Sequence, residues 1–194
     1  DGEYTTTLRY VRRWREANRS GSDGYGELVW APGVAQIDFG VAKARIAGEL
    51  VDDHCLVVTF PHSNMRYVTS LPGENAECLC HGLIEVFELI GGVPPVIVMD
   101  NATGAGRRNA RGEVTPAAVL DVFDIKKSLS HKGNPYDNAV VESTNRPLKK
   151  ELVYRNHYTT IGQLRHDLND YVWWSDDRRL HSTLGYQSPK EFTE

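Results

Sequence analysis

Three carboxylates in this 194-residue chain stand where an ionised oxygen is costly or conspicuous: Asp38, Asp100 and Glu142. Asp38 falls on the polar side of an alternating run, Val34 to Phe39, in which Ile37 and Phe39 share one face and Gln36 and Asp38 the other, the pattern of a half-buried strand. Asp100 closes PPVIVMD, a short apolar run of the kind buried on both faces in a parallel sheet. Neither aspartate has a lysine or arginine beside it in sequence, and a carboxylate at the mouth of an apolar strand is destabilising unless something positive compensates it. A divalent cation would do so, and Mg2+ or Mn2+ prefers carboxylate and water oxygens. The alternative is that each aspartate caps the turn after its strand.

Glu142 lies in GNPYDNAVVESTNRPLKK, residues 133 to 150, which reads as a turn followed by a basic helix. On a regular helix Asn145, Arg146 and Lys149 fall at i+3, i+4 and i+7 from Glu142 and share its face. Lys150 is displaced around the wheel. Glu142 is therefore either a third oxygen ligand or a solvated charge paired with Arg146. Asp52 and Asp53 with His54 form a rival acidic group, although their place before CLVVTF suits a hairpin turn. His131 and Asp137 are near Glu142 in sequence. Asp137 also suits the N-cap of the helix, and His131 lies in a Gly-rich turn.

The elements that must carry these residues can be read in order. Residues 4 to 18 are helical in pattern and end in SGSDGYG, a linker by composition. After the Asp38 strand come HCLVVTF (54 to 60) and MRYVTSL (65 to 71), joined by the turn residues PHSN. ENAECLCHGLIEVFELIGG reads as a helix, with Leu79, Leu83, Val86, Phe87 and Ile90 on one face and a stop at Gly91-Gly92. PPVIVMDN is the next strand, and a Gly- and Arg-rich segment (104 to 113) leads to a helix over 115 to 124. IKKSLS (125 to 130) is a strand, and the Glu142 helix runs from about Asp137 to Tyr154 with Pro147 kinking or interrupting it. A final helix, TIGQLRHDLNDYVWW, sets Ile161, Leu164, Leu168, Tyr171 and Val172 on one side. This order fits an α/β domain with one mixed sheet and helices on both faces, where chemistry gathers at strand ends.

Composition narrows the class. With 40% hydrophobic and 25% charged residues the chain is an ordinary globular one, large enough for one domain and an appendage. No apolar run approaches the roughly 18 residues of a membrane helix, and no signal peptide opens the sequence, so a cytoplasmic place is expected. It begins at Asp1 without methionine, which reads as a fragment lacking its upstream part. Cys55, Cys78 and Cys80 have no metal-binding spacing and read as buried free thiols, and the seven histidines form no HxxxH or HExxH. The net charge of -4 is unevenly spread, since residues 1 to 100 carry 8 basic against 14 acidic side chains and residues 101 to 194 carry 14 against 12. Basic surfaces able to meet phosphates are compatible with that distribution.

Four segments in order, QIDFG (36 to 40), SNMRYV (63 to 68), FELIGGVPPVIVMDN (87 to 101) and SHKGNPYDNAVVESTNRPLKKELVY (130 to 154), resemble the catalytic core of DDE transposases and retroviral-type integrases. The resemblance covers roughly residues 30 to 192. The first half is similar to insertion-sequence transposases that work with an AAA+ ATPase helper. The second, through RRLHSTLGYQSPKEF, is similar to transposases of two-frame insertion sequences. The 41 residues between Asp100 and Glu142 exceed the usual integrase spacing, with the excess in RRNARGEVT.

The resemblance implies an RNase H-like fold with a mixed five-stranded sheet flanked by helices. Its parts would be an N-terminal helix and linker (1 to 26, the tail of an upstream module), a catalytic core (27 to 155) and a C-terminal helical extension (156 to 194). It implies Asp38, Asp100 and Glu142 as catalytic metal ligands for two Mg2+ ions, with Mn2+ as substitute, and Arg146, Lys149, Lys150 and His131 as DNA contacts. The function implied is DNA end cleavage and strand transfer in a bacterial, nucleoid-associated setting. The protein would act as a dimer or higher assembly on mobile-element ends and target DNA, with an ATPase helper as a possible partner. A nuclease of the same fold that does not join ends, and an inactive domesticated DNA-binding module, are the alternatives.

Overall fold

Strand β1 (Val34–Ile46) is the axis around which the chain is laid. The computed structural model describes residues 29–99, 120–129 and 139–194. The expected helix over 4 to 18, the linker, the segment 104 to 113 and the start of the helix over 115 to 124 lie outside these residues, as do Asp100, His131 and Asp137.

β1 turns back through Ala47 and Gly48, both at positive φ (50° and 88°), into antiparallel β2 (Glu49–Phe60). Two left-handed residues in a two-residue connection match the twist of paired strands. β2 continues through residues 61 to 64 into antiparallel β3 (Met65–Leu71). β4 (Val96–Met99) lies parallel to β1 on its other side, from Val34 opposite Val96 to Ile37 opposite Met99, and β5 (Lys126–Leu129) is parallel to β4. The order is β3-β2-β1-β4-β5, and a two-residue strand, β6 (His157–Tyr158), pairs with the far end of β1 at Arg45 and Ile46.

The sheet has two unlike faces. On one, Ile37, Leu56, Val58, Ile97 and Met99 pack with Leu79, Leu83, Val86 and Phe87 of helix α1 (Ala76–Ile90). The ends of α1 follow from local chemistry. Asn75 accepts a 2.8 Å hydrogen bond from the Cys78 N–H, and Gly91 takes the left-handed C-cap at φ 68°. Gly82 allows close approach, because a Cβ there would lie 2.7 Å from a Leu56 methyl.

On the other face lie helix α2 (Ala139–Pro147), a π-helical turn (Leu148–Val153), β6 and helix α3 (Ile161–Asp177). Val141, Leu148, Val153, Tyr158, Leu164 and Leu168 pack with Ala42, Ala44, Val57 and Val68. Arg66 of β3 and Asp176 of α3 form a buried ion pair at 3.3 Å, with Asp176 also accepting from the Arg66 backbone N–H at 2.9 Å. A 3-10 turn (Ser182–Leu184) and helix α4 (Pro189–Thr193), opened by a Ser188/Glu191 capping box, complete the chain.

Three expectations are corrected. The Asp38 strand is not half-buried, because Ala35, Gln36 and Ile37 are all inaccessible, with a layer of helices on each face. Asp52, Asp53 and His54 are inside β2 and not in a turn, since the reversal occurs at Ala47-Gly48. Ile161 is 45% exposed because it begins α3, ahead of the turn that reaches the sheet. At Pro147 the regular α-helix is interrupted as expected: α2 ends there and the chain continues in a π turn (Leu148–Val153). Among the described residues, no helix is long and apolar enough to cross a membrane.

Candidate active site

Helix α2 is fastened to the sheet by polar groups as well as apolar ones. Gln36, fully buried on β1, accepts a 3.2 Å hydrogen bond from the backbone N–H of Val141, one of the donors a helix N-terminus leaves without an internal partner. Thr59 on β2 donates to the Thr144 hydroxyl at 3.3 Å, and Thr144 donates to the Val140 carbonyl at 3.1 Å. One step along β1, the Asn145 amide Nδ2 reaches Asp38 Oδ2 at 3.5 Å. Gln36, Asp38 and Gly40 alternate on one face of β1, opposite Thr59, Val57 and Cys55 of β2. Val141, Thr144, Asn145 and Leu148 form the buried stripe that meets them.

This packing fixes Glu142. It precedes Asn145 by three residues, about 60° around the helix from it, and is exposed at the margin of the buried stripe. Asp38 is half-buried on the same side of the sheet. Asn145, one turn after Glu142, is thus the described link between α2 and Asp38, and carboxylate oxygens such as those of Asp38 and Glu142 are donors that suit a hard divalent cation. Asp100 follows Met99 of β4 in sequence and lies outside the described residues, as does His131. No group of three or more metal-ligating side chains occurs among the described residues.

The basic residues of this element divide. Arg146 and Lys150 are exposed, whereas Lys149 is half-buried and its positive charge is felt at the Cys55 thiol. The rival acidic group is dispersed into separate partnerships. Asp52 pairs with Lys43 at 2.9 Å, and His54 Nδ1 meets Glu74 at 3.0 Å. Asp53, 2% exposed, accepts from the Ser70 hydroxyl and from the Cys55 thiol at 2.8 Å. Burial, reinforced by the Asp53 charge, pushes the Cys55 thiol far above its ordinary range, so it stays protonated. All three cysteines are buried and free, as their spacing suggested.

Behind the site, Glu151 of the π turn takes a bidentate grip from Arg179 (2.9 and 3.1 Å) and a 2.7 Å bond from the Tyr171 hydroxyl. The Arg179 bond holds the Glu151 carboxyl below its usual range. Burial, followed by Glu151, pushes Tyr171 up to about 12. Sequence reasoning missed Gln36, Gly40 and this Arg179 clasp. A glutamine two residues before Asp38 on the same strand face was the available signal for the first.

Residues 123–189 match the family model described as an integrase core domain. The chain is 41% identical over 99 residues to the transposase for insertion sequence element IS904 of Lactococcus lactis subsp. lactis (strain IL1403), covering 50% of this chain and 38% of that protein. It is 36% identical over 76 residues to transposase InsF for insertion sequence IS3A of Escherichia coli (strain K12), covering 39% and 26%. It thus spans less than half the length of these relatives. Among solved structures, it is similar in fold to the HTLV-2 integrase catalytic core domain in complex with magnesium (TM-score 0.59, 17% identity, 83% of this chain and 95% of that one). It is also similar to a chain of the simian T-cell lymphotropic virus intasome in complex with PP2A regulatory subunit B56 gamma (TM-score 0.60, 16% identity, 82% and 53%).

Proposed function

We propose, from the integrase-core match over residues 123–189 and a fold similar to an integrase catalytic core, that this chain carries a transposase/integrase core and is the catalytic part of an insertion-sequence transposase that cleaves DNA ends and joins them to a target. The observation that supports this most is the contact from Asn145 to Asp38, because it draws the Glu142 helix onto the strand that bears the first carboxylate. In this reading Asp38, Asp100 and Glu142 hold divalent cations, two Mg2+ or, in substitution, Mn2+. When bound, these supply activation of a water or a DNA 3′-hydroxyl and stabilise the leaving oxygen.

The protein's own part is positional. β1 supplies Asp38 on the sheet face that α2 covers, and α2 supplies Glu142. Arg146, Lys150, Lys149 and His131 meet the DNA backbone, whose charge makes lysines and arginines the suitable contacts. The thiols take no part as nucleophiles, being buried. Residues 27 to 155 form the core and 156 to 194 its extension, with 1 to 26 the tail of an upstream module. Holding two element ends requires a dimer or larger assembly on DNA, and an ATPase helper is compatible with the first half of the sequence.

The test is an incubation of pre-cleaved element-end DNA with target plasmid and Mn2+. Wild type is expected to yield covalently joined product, and Asp38→Asn, Asp100→Asn and Glu142→Gln to yield none while retaining the wild-type melting profile. Hydrolysis without joining would instead identify a nuclease, and joining by Glu142→Gln would remove Glu142 from the site.

A further inference from the structure

We infer that Arg179, just beyond the end of α3, is a positioning residue: by clasping Glu151 it holds the π turn so that Lys149 and Lys150 are in place before DNA arrives. This rests on the reading of those lysines as DNA contacts. The turn needs holding. Pro147 at its start has no N–H to give to a helical bond, and π geometry is rare outside single turns. The bond that closes it runs from the Tyr154 N–H to the Lys149 carbonyl at 2.9 Å. Leu148 and Val153 are buried against the sheet, so the turn is pinned at its two ends, while Lys150 and Glu151 between them are exposed.

Glu151 ties the middle down. Among the described residues, the side-chain hydrogen bonds that leave the turn for residues outside 148–156 are all its own, two from Arg179 and one from Tyr171. Arg179 is itself fixed on several sides. It donates to the Tyr171 oxygen at 3.1 Å, its guanidinium carbon lies 5.7 Å from the centre of the Trp174 ring, and its backbone N–H meets the Trp174 carbonyl at 3.2 Å. An exposed ion pair alone contributes little, and these partners keep 30% and 37% of their side chains exposed. The fork on both oxygens and the flat face toward Trp174 are what a lysine could not supply, and they make this pair a fixed link. A carboxylate directly after two lysines also works against phosphate binding on charge alone, so its place here points to the tether. Side chains ordered beforehand need not be ordered by binding, which for the lysines of this turn amounts to about three- to tenfold in affinity.

The experiment uses the whole chain and a fluorescein-labelled DNA duplex of mixed sequence, read by anisotropy at several salt concentrations, with amide hydrogen exchange alongside. Glu151→Gln decides, because it keeps the shape and removes a negative charge. On charge alone it would bind DNA more tightly. With the clasp broken it is expected to bind about three- to tenfold more weakly, with a parallel salt dependence and faster exchange of the amides of residues 149–154. Arg179→Met is expected to match it, and the double variant to be no weaker than either, since both remove one link. Arg179→Lys, which keeps the charge without the fork, is expected to be weakened as well. Tighter binding or unchanged exchange in Glu151→Gln, or wild-type affinity in Arg179→Lys, would overturn the inference. So would a salt slope lowered by about one unit in Arg179→Met, which would make Arg179 a phosphate contact in its own right. Lys150→Ala is the reference: if its affinity and slope are those of wild type, the reading of Lys150 as a DNA contact fails. If Lys150→Ala is weakened while Glu151→Gln is not, only the positioning role fails.

Discussion

Asp176 is a carboxylate placed where water cannot serve it. Burial pushes it up to about 7 despite the Arg66 backbone N–H and guanidinium that pull the other way, and the same burial pushes Arg66 down. An acid raised in the folded state binds its proton there more tightly than in the unfolded chain. Its contribution to stability is therefore complete below about pH 4 and is lost as pH rises toward about 7. Wild type should lose on the order of 1 to 3 kcal/mol through this group between those limits, a figure moderated by its coupling to Arg66. Denaturant melts of wild type and Asp176→Asn across that range should show the slope in the first and not in the second. Asp53 poses the converse case, a buried carboxylate satisfied by neutral donors. Asp53→Ala should destabilise by about 2 kcal/mol by stranding Ser70 and removing the Cys55 acceptor. Mn2+ affinity should be unchanged, as calorimetry would show; a fall would revive the rival acidic group as a metal site.

Helix α2 and its π continuation divide their residues between sheet and surface. Arg146 and Lys150 are exposed on it, so Arg146→Ala and Lys150→Ala should each weaken DNA binding about equally across sequences and lower the salt slope by about one unit. Fluorescence anisotropy at several salt concentrations would check this, and unchanged slopes would leave these residues as solvated charges. Lys149 is half-buried, so Lys149→Ala should also lower the melting temperature through lost packing, which the other two should not. The elements themselves were largely legible. The β2–β3 hairpin followed from two β-rich runs around PHSN, and α1 from its apolar period and its Gly91 stop, both being local signals. Less legible was anything set by what packs on the far side. Gln36 reads as a solvent-facing residue by alternation, yet it is buried because a helix from more than a hundred residues later needs its oxygen. Asp52-Asp53 reads as a turn because paired aspartates favour turns, and only the register of β1 with β2 shows otherwise. Pro147 announced a break in the helix but not its kind. The candidate site was legible as a set of residue types, since Asp38 and Glu142 were named from pattern and resemblance, but the amide between them that joins strand to helix was not seen as a link.

Across the whole molecule, β1 pairs with β2, β4 and β6 and carries Asp38 just past its last residue paired with β4. If the protein works on paired DNA ends, light scattering should register a dimer or larger particle only when those ends are present at low protein concentration; a DNA complex that stays monomeric would contradict the proposed assembly. The topology also has a kinetic consequence. β1, β2, β3 and α1 follow one another along the chain through short turns, so their pairings close small loops. The contacts of α2 with Gln36 and Asp38 join residues 105 and 107 apart, and closing so long a loop costs more chain entropy before anything is gained. The meander should thus be structured in the folding transition state, and the Asp38–Glu142 neighbourhood should assemble after it. Stopped-flow chevrons would then find Leu56→Ala slowing refolding, whereas Val141→Ala chiefly accelerates unfolding. If the proposed function holds, an order of events in which the scaffold precedes the Asp38–Glu142 neighbourhood would keep the nascent protein from meeting DNA with only part of its carboxylate set in place.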